Sequence, residues 1–234
     1  NGADRRRALA EKVLEAAKKD AEIYAQAKRN AEVHNLDVNL APSVMALDLN
    51  AIETALKAHV PIQDLSQVLE GFAVTMPVPG KLVIYVDAIE LDAMPDESID
   101  LGDNDRSVYR ALPEGLRQEM HLANVCAVTL RVGLEVMQVV PVEAVDIVTR
   151  CFLPNARGDV DQHPVVYVKL PHHALKAMDM RRLEPVSTIT ALGGRLDWEL
   201  GRGFSPIGIA DLRLTATVPP TAAGQPPQPP RVAA

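Results

Sequence analysis

Apolar residues recur near the start of the chain at Leu9, Val13, Ala16, Ile23, Ala27 and Ala31, the spacing of one helical stripe, interrupted by Asp20. Residues 4–34 hold no Gly or Pro and are rich in Ala, Glu, Lys and Arg, which predicts one long helix with Asp4 as its N-cap. The stripe is thin, so this helix buries little alone and needs a partner, either its own domain, a protein partner or a second copy. A polar turn is expected at residues 34–39, then a short helix over 48–57 ended by Pro61. Asp64 is placed to cap a second short helix over 65–70, closed by Gly71. Residues 81–91 are rich in β-branched and aromatic side chains after Pro79-Gly80 and predict a strand, whereas 95–106 read as a solvated acidic loop.

The strongest periodicity begins at Leu116 and continues through Met120, Ala123, Ala127, Leu130, Leu134 and Met137 in steps of four and three. Leu122, Val125, Val128, Val132 and Val136 fill a second face, so this helix belongs in the middle of the fold, started near Pro113 and stopped by Pro141. Residues 144–153 and 164–170 predict two strands of a hairpin. Short helices over 172–178 and 184–192 and a last strand over 195–200 follow. The order predicts an α+β fold: a long N-terminal helix and a small, mostly antiparallel sheet packed on a long central helix. Its expected divisions are a charged helical arm (1–36), an α+β globular domain (37–214) and a Pro-rich tail or linker (215–234).

Composition removes several function classes. Of 234 residues, 47% are hydrophobic and 24% charged, the balance of a globular protein. Aromatics are only 3%, which disfavours base-stacking and carbohydrate platforms. Cys126 and Cys151 lie in apolar stretches and read as core residues; there is no disulfide framework and no CxxC pair for a thiolate zinc site. The opening Asn-Gly-Ala-Asp-Arg-Arg-Arg lacks an initiator Met and the apolar run of a signal peptide, the expectation being a trimmed, cytoplasmic chain. The most apolar window, 122–140, carries Arg131 and Glu135 at its centre, so no membrane partner is expected.

Charge is uneven. The net charge is −7, and residues 81–105 alone set Lys81 against Asp87, Glu90, Asp92, Asp96, Glu97, Asp100, Asp103 and Asp105, an equal charge. The chain as a whole therefore disfavours non-specific nucleic-acid binding. A local basic face for DNA is open at Arg181, Arg182, Arg195, Arg202 and Arg213, with the acids Glu184, Asp197, Glu199 and Asp211 among them.

Catalytic signatures are few. No GxGxxG, Walker lysine loop, GxSxG or HExxH occurs. Asp100, Asp103 and Asp105 lack the Glu that an EF-hand loop requires. A strand between His163 and His172 would hold them about 23 Å apart, too far for one ion, so no metal site and no cofactor are expected. The strongest catalytic candidate is Asp146 with Lys169, arranged along the sequence as in a restriction-type nuclease core in which acids hold magnesium and the lysine assists the attacking water. Tyr167 stands where a second ligand belongs, and one carboxylate holds Mg2+ poorly.

Several landmarks keep the same order as in a known group: a charged helix running into Glu32-Val33-His34-Asn35, Val68-Leu69, the extended Leu82-Val-Ile-Tyr-Val86, the long helix, Val145-Asp-Ile-Val148, Val165-Val-Tyr-Val168 and the stretch from Asp179 to Val186. In this pattern, over about residues 20–206, the chain resembles the region preceding the Mrr-type nuclease domain of multidomain bacterial restriction endonucleases. The resemblance implies an accessory, non-catalytic module of a restriction or phage-defence protein, serving assembly or target recognition, with the Pro-rich tail placed as a linker. The other classes are a metal-dependent nuclease using Asp146 and Lys169 with Mg2+, and a structural oligomerisation protein.

Overall fold

The computed structural model describes residues 2–60, 67–101, 106–154, 157–177 and 182–214. It divides into two compact units, Asn1–Val60 with Gln138–Pro141, and Pro61–Met137 with Val142–Ala234. The fold is α+β, as the hydrophobic pattern implied.

The first unit holds α1 (Gly2–Met45) and α2 (Leu49–His59). The turn expected at residues 34–39 is absent; the helix runs through it, because nothing there breaks the hydrogen-bond ladder and polar side chains are at ease on an exposed helix. Asp4 lies within the first turn, where a carboxylate favours the helix dipole. Asp48 caps α2 by accepting from the Ala51 N–H at 2.8 Å, and α2 buries Ala51, Ile52, Ala55 and Leu56. His59 Nε2 meets Asp37 Oδ1 at 2.6 Å, tying the end of α2 to α1.

The second unit is built on a five-stranded sheet whose order is β1 (Leu69–Val78), β2 (Lys81–Ala88), β5 (Ala144–Pro154), β6 (Val160–Pro171) and β7 (Arg195–Leu196). β1 (Leu69–Val78) and β2 (Lys81–Ala88) form an antiparallel hairpin across Pro79-Gly80. β1 replaces the helix expected up to residue 70; positions 65 and 66 lie outside the described residues. Its tail carries Pro77, which an edge strand tolerates and which obscures the strand signal. A 3-10 turn (Leu91–Ala93) follows β2. The expected acidic loop over 95–106 instead holds a strand, β3 (Glu97–Leu101), paired in a two-stranded ribbon with β4 (Ser107–Ala111) just beyond it, nearly all of it exposed. Backbone pairing rather than burial makes these strands, so the hydropathy pattern does not show them; Asp103 and Asp105 lie outside the described residues.

The central helix α3 (Glu114–Val139) carries the chain from β2 to β5 (Ala144–Pro154), which runs parallel to β2. β6 (Val160–Pro171) returns antiparallel to β5, starting earlier than the predicted strand at 164. Leu82, Ile84 and Val86, Val145 and Ile147, and Val168 and Leu170 alternate onto the face against α3, all fully buried. Each such side chain contributes about 1.5–3 kcal/mol. Thr129 and Thr149 share a buried hydroxyl–hydroxyl bond between helix and sheet. Gly133 lets α3 approach closely, since a Cβ there would overlap Ile147 Cδ1. α3 is the one helix among the described residues long and apolar enough to cross a membrane, yet half of its apolar window is buried in the fold.

The remaining elements are short: α4 (His172–Ala177), α5 (Pro185–Ala191), β7 (Arg195–Leu196) against β6, and the small hairpin β8 (Trp198–Glu199) with β9 (Gly203–Phe204). The strand expected over 195–200 is thus split between two sheets. A closing segment, with a 3-10 turn at Ala210–Leu212, covers the second face of the main sheet, where Ile207, Ile209, Leu212 and Leu214 pack on Val83, Tyr85, Val148 and Tyr167.

Candidate functional site

Asp146 and Lys169 are directly opposite in the β5–β6 register, so the two side chains share a face, as the catalytic reading needed. Their surroundings differ. Asp146 is buried and Lys169 exposed. The Tyr167 hydroxyl donates to Asp146 Oδ1 at 2.7 Å, and Lys81 Nζ stands 4.0 Å from Oδ2. Burial, reinforced by this bond to Asp146, pushes the Tyr167 phenol far above its usual range. Lys81 also donates to the Leu212 carbonyl at 2.6 Å, and the Tyr85 hydroxyl to that of Leu214 at 3.3 Å. Asp146 is therefore the centre of a polar brace that holds the closing segment, and it belongs to no group of three metal-capable side chains among the described residues.

Two of the arginines are engaged by neighbouring acids. Arg195 grips Asp211 through two nitrogens, at 2.8 and 2.7 Å, and also donates to the Gly208 carbonyl. That bond lowers the Asp211 carboxyl and raises Arg195. Arg202 pairs with Asp197 at 2.7 Å and lies 3.5 Å from Glu199. Three of the four acids counted among these arginines in the sequence, Asp197, Glu199 and Asp211, are thus their partners. Arg213 takes a left-handed conformation at the end of the last 3-10 turn. Arg182 is exposed, and Arg181 lies outside the described residues. His172 and His173 open α4 and are exposed, and His163 sits within β6.

One cluster has no counterpart in the sequence reading. Glu90, His121 and Cys151 present ligand atoms that all lie within 4.8 Å of one another, with His121 and Cys151 buried. Glu90 follows β2, His121 is on α3 and Cys151 is on β5. His121 Nε2 donates to the Ile89 carbonyl at 2.9 Å, and its ring packs edge-on against Phe204. Glu90 Oε1 accepts from the Phe152 N–H at 2.8 Å. Burial holds the His121 imidazole below its usual value and pushes the Cys151 thiol up. The three positions are about 30 residues apart, so no local spacing announces them. The only trace in the sequence is a His within the apolar periodicity of a core helix.

Comparison with protein-family models, with curated proteins and with solved structures finds no match.

Proposed function

We propose that this chain is a non-catalytic assembly module, a cytoplasmic accessory part of a restriction or phage-defence protein, and that α1 joins it to a second copy. One observation carries the reading: of the residues in the 44-residue α1, only Val44 is buried, while Leu14, Tyr24 and Ile23 are 75%, 73% and 58% exposed. Leu9, Val13, Ala16, Ile23 and Ala27 sit in steps of four and three once Asp20 is counted, the seam that two helices bury against each other. Helices in proteins owe more of their stability to packing of an apolar face than to propensity. An intact chain should scatter light with a mass above 25.3 kDa, and Val13→Lys with Ile23→Lys should return it to the monomer. A monomeric mass for both overturns the assembly reading.

The Asp146–Lys169 register favours the second reading, a nuclease using Mg2+. Against it stands the engagement of both Asp146 oxygens by Tyr167 and Lys81. Incubation with supercoiled and linear DNA, in Mg2+ and in Mn2+, decides between them. The accessory reading predicts intact DNA; cleavage abolished by Asp146→Ala and by Lys169→Ala establishes the nuclease. For the basic face, DNA affinity that falls with salt and with Arg182→Ala supports target recognition.

A further inference from the structure

We propose that Glu90, His121 and Cys151 form a binding site for one divalent cation of zinc type, with water completing its coordination. The donor set is an imidazole, a thiol and a carboxylate, the three side-chain classes that zinc accepts. Ligands sharing a zinc ion through bonds of about 2.0–2.3 Å stand roughly 3–4 Å from each other, so donors already within 4.8 Å need only side-chain adjustment. The outer contacts match those of a ligand shell. A backbone carbonyl fixes the proton of His121 on Nε2, which leaves the lone pair on Nδ1, and the Phe152 N–H orients one Glu90 oxygen while the other stays open.

The local field favours a cation. Glu70 and Asp92 act on Glu90, and Glu70 and Asp87 on Cys151, while Arg150 is committed to Asp87 at 2.7 Å. Among the described residues, no hydrogen bond joins Glu90, His121 and Cys151 to one another, so nothing within the group occupies their open lone pairs. Partial exposure of Glu90 provides an entry path. A bound ion would pin α3, β5 and the segment after β2 to one point, adding to the hydrogen bonds His121 and Glu90 already make there.

The full chain, dialysed against chelator and then incubated with zinc chloride, should retain one zinc per chain by mass spectrometry and melt at a higher temperature. With Co2+ in place of zinc it should show a thiolate-to-metal charge-transfer band. Cys151→Ser should abolish that band, and Glu90→Gln should weaken binding at least about 100-fold, beyond the loss of an outer contact; Cys126→Ser should change neither. No retained zinc with an unshifted melt overturns the site, as does equal loss in Cys126→Ser and Cys151→Ser. If Cys151→Ser fails to fold, Glu90→Gln decides: it alters one partly exposed carboxylate, and unchanged zinc affinity there contradicts the proposal.

Discussion

Arg195 and Asp211 form the best-defined ion pair on the surface, two parallel N–H···O bonds between β7 and the closing segment. Because the folded Asp211 carboxyl lies below its ordinary value, its contribution to stability is present above the usual carboxylate range and is lost as pH falls through that range toward the folded value. An NMR titration should show Asp211 depressed in the native chain and restored by Arg195→Met. Cys126, fully buried on α3, has its thiol pushed up to about 12 by burial. Its reaction with a thiol reagent at neutral pH should therefore track global unfolding, and rapid native reaction would contradict its place in the core. At Gly194 a Cβ would meet Ile189 Cγ2 at 2.6 Å and the carbonyl oxygens of Ile189 and Tyr167 at 2.8 Å. Backbone cannot move aside as a side-chain tip can, so Gly194→Ala should cost about 1–3 kcal/mol in chemical denaturation.

Elements were legible where one periodicity dominated. The steps of four and three from Leu116 gave α3 to within two residues at each end, and the β-branched runs gave β2 and β5, because these segments bury a continuous set of side chains. β1 was hidden by Pro77 and by a bulge between Thr75 and Val78, and β3–β4 by lying exposed, where hydropathy carries no signal. The arginine pairs are half legible: the sequence places acids among the arginines, but only the fold shows that Asp211 belongs to Arg195 and that Asp197 and Glu199 belong to Arg202. The metal-capable group was not visible, since its members meet only after β2, α3 and β5 pack. The closing segment depends on Lys81 and Tyr85, whose side chains reach carbonyls 129–132 residues away. Lys81→Met should destabilise the fold by about 1.5–3 kcal/mol and speed amide exchange in residues 207–214 relative to β5; unchanged exchange there would show that apolar packing alone holds the segment.

At the scale of the molecule, the main sheet and α3 bury their facing apolar side chains, whereas α1 leaves Leu9, Val13, Leu14, Ile23, Tyr24 and Val33 open along its length; in the second unit the exposed apolar side chains, such as Ile99, Leu101 and Tyr109, lie mostly on the β3–β4 ribbon and at loop and strand ends. That contrast is the basis for reading the chain as an assembly module rather than an enzyme. Amide exchange of α1, followed across a hundredfold range of protein concentration, tests the claim most directly. Self-association predicts that residues 9–27 gain protection as concentration rises, in step with the mass, while β2 and β5 stay equally slow throughout. Uniformly fast exchange in α1 at every concentration, with the mass fixed at 25.3 kDa, would contradict it.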